Sequence, residues 1–152
     1  MADGFSGCRP SSTEPGFYRA RLGWIFGRRL VLVHHVGRRT GRRHEVVLEV
    51  VDRSGGAVTV ASGFGPRGDW YRNLLAAPRT TMIIGAHQQP VEARALDAEE
   101  GSAVLLAYGR RHRRAARVVA RRTGYEIGGS DADLRELGRR LPFLRLEPAL
   151  NR

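Results

Sequence analysis

The segment Gly37 to His44, GRRTGRRH, sets four arginines and a histidine around two glycines and a threonine. That pattern suits an anion. A glycine-bounded turn leaves backbone N–H groups free to donate. Thr40 adds a hydroxyl, and Arg38, Arg39 and Arg43 add planar forks that match the oxygens of a phosphate or carboxylate. The competing reading is a solvated hairpin tip. A second stretch, ASGFGPRGDWYRNL (61–74), ends an apolar run in small residues and then opens a helix with Asp-Trp-Tyr. Small residues let a flat ligand approach the backbone closely, and Trp70 either walls off such a ligand or belongs to the core. A third pair, Tyr108 and His112, lies one helical turn apart on a shared face. A phenol and an imidazole so placed can gate a pocket or donate a proton; a plain helix surface is the competing reading.

Other chemistries find little support. Cys8 is the single cysteine, so no disulfide forms within the chain and a reducing cytoplasm fits. No G-x-S-x-G elbow, P-loop or G-x-G-x-x-G after a strand is present. Of the five histidines, His34 and His35 are adjacent on a strand and point to opposite faces, and no histidine or cysteine spacing supports a metal. The net charge is +11, from 26 basic and 15 acidic residues, and every basic residue is arginine. With so much alanine and glycine, that usage reflects GC-rich coding as much as a designed patch. The surface still attracts anions. A nucleic-acid-binding module is a less favoured reading, because no reader motif is present and the arginines are spread over many elements. No apolar run approaches the roughly 20 residues of a membrane span, and the N-terminus lacks the order of a signal peptide.

These residues need elements to position them. Residues 1–15 read as a disordered tail, and 16–29 as an amphipathic helix. That helix packs on the domain or, carrying Trp24 and Phe26 among arginines, makes a weak contact with the inner face of a membrane. LVLVHHV (30–36), HEVVLEVVD (44–52) and AVTVASG (57–63) read as strands joined by the arginine turn and by DRSGG. Residues 66–78 read as a helix with Asp69 as N-cap or first-turn acid and Pro78 as its stop. Two strands are expected within 79–97. A long helix follows, with Gly109 a candidate break, and then a helix opened by Ser130 and a last strand in PFLRLEP (142–148). Connections this short require antiparallel pairing. The fold class is therefore α+β: about six mostly antiparallel strands in a small barrel, with peripheral helices.

The order of these pieces resembles the deazaflavin-dependent nitroreductase family, a branch of the split β-barrel, FMN-binding-like superfamily that includes pyridoxamine-phosphate oxidases. The Gly-Arg-Arg-Thr-Gly turn, the VTVASG strand end and the Asp-Trp-Tyr-x-Asn-Leu helix start carry the resemblance, over 30–148. It implies a split β-barrel over those residues that binds coenzyme F-420, an 8-hydroxy-5-deazaflavin with a phospholactyl-oligoglutamate tail, with FMN as the alternative. It assigns the phosphate and tail to Arg38, Arg39, Thr40 and Gly41. The arginine that usually follows is replaced by His44, with Arg43 beside it. Ala61, Ser62 and Gly63 would lie along the ring, with Gly63 where relatives often carry lysine, and Trp70, Tyr71 and Asn73 would border it. Tyr108 and His112 are the candidate proton donors, and Tyr125 lies in the same region. The implied activity is hydride transfer to a small molecule: a nitro compound, a quinone or an activated alkene. A non-catalytic carrier on the same barrel is the alternative, and related barrels pair as homodimers.

Overall fold

The structure, a computed structural model, describes residues 30–62, 65–114 and 129–150. The expected tail (1–15), N-terminal helix (16–29), Gly63 and Tyr125 lie outside the described residues.

Six strands form the frame: β1 (Leu30–Val36), β2 (Arg43–Ser54), β3 (Ala57–Ala61), β4 (Arg79–Ile84), β5 (His87–Ala95) and β6 (Phe143–Pro148). They close into a barrel in the order β1-β2-β3-β6-β5-β4, and every pairing is antiparallel. The α+β barrel expected from the sequence is thus present. Strand alternation explains its filling. Val31 and Val33 of β1, Val58 and Val60 of β3, and Leu144 and Leu146 of β6 point inward and are buried in one cluster with Leu74, Met82 and Val91. The DRSGG turn is tighter than its sequence suggests. Only Gly55 and Gly56 turn, both at positive φ, while Arg53 and Ser54 stay in the ladder.

Three α-helices accompany the barrel among the described residues: α1 (Asp69–Ala76), α2 (Ala98–Arg111) and α3 (Asp131–Arg140). A separate 3-10 turn, Gly65–Arg67, precedes α1, and Gly68 takes the N-cap position, so Asp69 is a first-turn acid and not the cap. Capping boxes open α2 (Asp97 with Glu100) and α3 (Ser130 with Asp133), satisfying first-turn N–H groups. The expected break at Gly109 is absent: α2 runs on to Arg111 and His112 caps it. Gly109 is buried, and a Cβ there would stand 2.5 Å from Leu134 Cδ1, so the residue admits α3 and does not end α2. Together α2 and α3 build a second buried cluster outside the barrel, containing Leu105, Tyr108, Leu134 and Leu137 with Val51 and Phe143 of the strands. No described helix is long and apolar enough to cross a membrane.

Candidate functional site

The arginine turn joins β1 to β2 and is closed by its own backbone. Gly37 N–H donates to Arg42 O (2.8 Å) and Gly41 N–H to Gly37 O (2.8 Å). Two glycines are required for it. Gly41 sits at φ 68°, where a Cβ is strained. A Cβ on Gly37 would stand 2.5 Å from Thr40 Oγ1 and 3.3 Å from His44 Nε2. Thr40 Oγ1 in turn accepts from Arg42 N–H at 3.3 Å.

Arg38 is tied to α1. Its backbone N–H and its Nη1 both donate to Asn73 Oδ1, at 3.1 and 3.0 Å, and Nη1 also reaches Asp69 Oδ1 at 3.1 Å. Asn73 is 4% exposed, and its Nδ2 donates to His35 Nδ1 at 3.0 Å. His35 is buried at the end of the barrel and stacks on His44, with centroids 5.3 Å apart and planes at 23°. Burial, with the positive potential of His44 and His34, lowers the His35 pKa from 6.5 to about 4 against the opposing pull of Asp69. The ring is therefore neutral near pH 7. By contrast the side chains of Arg39, Arg42 and Arg43 are exposed and have no carboxylate partner among the described residues.

The helix part of the second stretch lies at the same end of the barrel, where Asp69 and Asn73 meet Arg38, whereas Ala61 follows Val60, which pairs with Val50 well along β2. Ala61 is half-buried against the helix cluster, and Ser62 is buried with its N–H donating to Pro142 O (2.9 Å). Trp70 and Tyr71 are half-buried against the barrel core, edge to face at 6.0 Å. Burial pushes the Tyr71 phenol above its ordinary range. Trp70 packs on the barrel core with part of it exposed.

Tyr108 and His112 do share a face, with ring centroids 5.3 Å apart. Tyr108 is 2% exposed, and its hydroxyl donates to Glu49 Oε1 at 2.6 Å. They stand apart from the arginine turn. Glu49 lies five steps along β2 from His44, about 17 Å of extended strand.

The two groups are connected by β2 itself. This strand pairs with β1 from Arg43 to Glu49, but with β3 only from Val50 onward. Among the described residues, the β3-side edge of 43–49 has no strand partner. One end of this open edge carries the arginine turn. The other carries Glu49, beside the end of β3 at Ala61, because Val50 pairs with Val60. An elongated ligand with an anionic tail fits such an edge: exposed guanidinium groups at one end, small residues at the other. No group of three or more potential metal ligands occurs among the described residues.

Sequence reasoning missed three contributors, His35, Asp69 and Glu49. His35 had a weak signal. It shares the inward face of β1 with Val31 and Val33, and a histidine on an apolar face needs a polar partner. Nothing local identifies that partner as Asn73.

The model of the F420H2-dependent quinone reductase family matches residues 17–128. No curated protein matches the sequence. Among solved structures, an F-420-H2-dependent reductase, FDR-A, is 22% identical, covering 79% of this chain and 95% of that one at a TM-score of 0.54. A structure described as a domain-swapped dimer is 19% identical, with 88% and 99% covered and a TM-score of 0.55. A pyridoxamine 5'-phosphate oxidase-related, FMN-binding protein of Nostoc punctiforme is 12% identical, with 92% and 81% covered and a TM-score of 0.55. At these identities the structural likeness establishes the split-barrel fold.

Proposed function

Because the chain belongs to the F420H2-dependent quinone reductase family, and so is an F-420-dependent oxidoreductase, we propose that its open β2 edge is the coenzyme site. In this reading Arg38, Arg39, Thr40, Gly41, Arg43 and His44 receive the phosphate and acidic tail. Ala61, Ser62, Gly63, Trp70 and Tyr71 shape the ring end, Asn73, which the resemblance puts at the ring, holds Arg38 of the turn instead, and residues 30–148 form the cofactor-binding unit. The observation that carries the reading is the juxtaposition along one strand edge that has no strand partner among the described residues. Exposed arginines with no acidic partner among those residues stand at its start, and a small-residue strand end at its finish.

The acceptor is an electron-poor small molecule, a quinone first and a nitro compound or activated alkene by the same chemistry. When bound, the reduced deazaflavin supplies a hydride, which with one proton converts a quinone to its hydroquinone. The chain's own residues orient the coenzyme, exclude water behind Trp70 and move that proton. Tyr108 and His112, at the Glu49 end of the edge, are the groups placed to pass it. A homodimer is proposed from the related structure described as a domain-swapped dimer. A cytoplasmic location is proposed from the lone cysteine.

The test is titration of the purified protein with F-420 and, separately, with FMN, followed by fluorescence. Turnover of reduced F-420 with a soluble quinone is then measured. Tight F-420 binding with enzyme-dependent turnover is expected. Absence of binding by both coenzymes refutes the site, and binding without turnover by any acceptor of the three classes refutes the assigned reaction.

A further inference from the structure

We propose that Asn73, backed by His35, is a positioning residue that presets the arginine turn to receive the coenzyme's tail. The proposal rests on the coenzyme reading above. One carboxamide joins three elements. Its Oδ1 takes two donors from Arg38 in the turn, and its Nδ2 donates to His35 at the end of β1, from a position in the middle of α1. The partners are 35 and 38 residues away in sequence, so these bonds are tertiary and lock α1 to the hairpin.

The orientation of the amide is dictated, because two arginine donors require the oxygen. The nitrogen must then face the imidazole, and Nδ1 must be the acceptor with the ring proton on Nε2. The groups facing His35 agree with a neutral ring: His44 stacked on it from β2, His34 beside it on β1, and Asp69 on α1, which is already engaged by Arg38.

The consequence divides the arginines by task. Arg38 commits its Nη1 to Asn73 and Asp69 and so acts as a strut as well as a tail contact, while Arg39, Arg42 and Arg43 extend from a turn that needs no ordering when the anion arrives. Ordering such a turn at the moment of binding would reduce affinity for the tail and leave the ring's contacts untouched.

The experiment compares binding of F-420 with binding of the tail-less deazaflavin chromophore, by fluorescence at pH 7. It uses the wild type, Asn73→Ala, His35→Leu and His35→Asn, each checked for a native thermal transition. Asn keeps an acceptor near the Nδ1 position, whereas Leu keeps only the bulk. Asn73→Ala and His35→Leu are expected to lose tenfold or more in affinity for F-420 and to stay within twofold for the chromophore. His35→Asn is expected to stay within threefold for both. If His35→Leu binds F-420 as the wild type does, or better than His35→Asn, the histidine only fills space and the proposal is overturned. Equal losses for both ligands in Asn73→Ala overturn it as well, because they report general damage. Should a variant not fold, nitrogen NMR of the wild-type imidazole decides: a proton on Nδ1 refutes the relay, and one on Nε2 supports it. A wild type that ignores F-420 sinks the coenzyme reading, whereas a wild type that binds F-420 no better than His35→Leu does sinks the positioning role alone, so the two failures are told apart.

Discussion

The burial of His35 makes a specific claim about acid stability. In the folded chain its pKa is about 4, whereas an unfolded histidine titrates near 6.5. The folded pKa is the lower one, so the unfolded chain takes up the proton first as pH falls. Stability is therefore complete above about 6.5 and declines down to about 4, where the folded ring protonates too. Between pH 7 and pH 5 the linkage removes about 2 kcal/mol, trimmed towards ~1 kcal/mol where solvent reaches the ring's edge. Glu100 and Asp131, whose carboxyls are held below their ordinary values mainly by hydrogen bonds from Arg94 and Arg110, lose their contribution only below about pH 4.5. The assay is urea unfolding of the wild type and of His35→Asn at pH 7 and pH 5. The wild type is expected to weaken over that interval by about 1–2 kcal/mol more than the variant. Equal pH dependence in the two proteins would refute the assignment of a neutral, desolvated ring.

Tyr108→Phe removes the hydroxyl from Glu49 and is expected to lower stability by about 1–2 kcal/mol in denaturant unfolding, because the bond is to a charged acceptor. Gly138→Ala places a Cβ 2.5 Å from Gly101 O, so α2 and α3 must separate, and a loss of about 2 kcal/mol or more is expected by the same assay. Trp70→Ala is expected to shift the absorption of bound deazaflavin; an unchanged spectrum in a folded variant would place Trp70 wholly in the core.

What was legible in the sequence is what depends on neighbours along the chain. β1 and β6 are apolar runs bounded by turn residues, and their limits fall at or within one residue of the expected ones. The cap at Ser130 is visible because its Asp133 partner is three residues on. The register shift between Val50 and Asp52 is not visible, since it depends on how β3 meets β2, and it is this shift that goes with β3 pairing only to the far half of β2. Gly109 misleads for a related reason. Its flexibility suggests a break, but its missing Cβ is used by Leu134, some 25 residues later. The site divides in the same way. The arginine turn and the Trp70 helix start are local motifs and were readable. The bond from Asn73 to His35 joins residues 38 apart and was not.

The most direct test of the central claim is the ratio of affinities for F-420 and its tail-less chromophore, measured by fluorescence titration in the wild type and in Arg38→Ala/Arg39→Ala. If the turn between β1 and β2 grips the anionic tail, the wild type prefers F-420 strongly. The double variant then loses at least about tenfold of that preference while holding the chromophore as before, one such factor corresponding to about 1.4 kcal/mol. A ratio unchanged by removing both arginines would contradict the account.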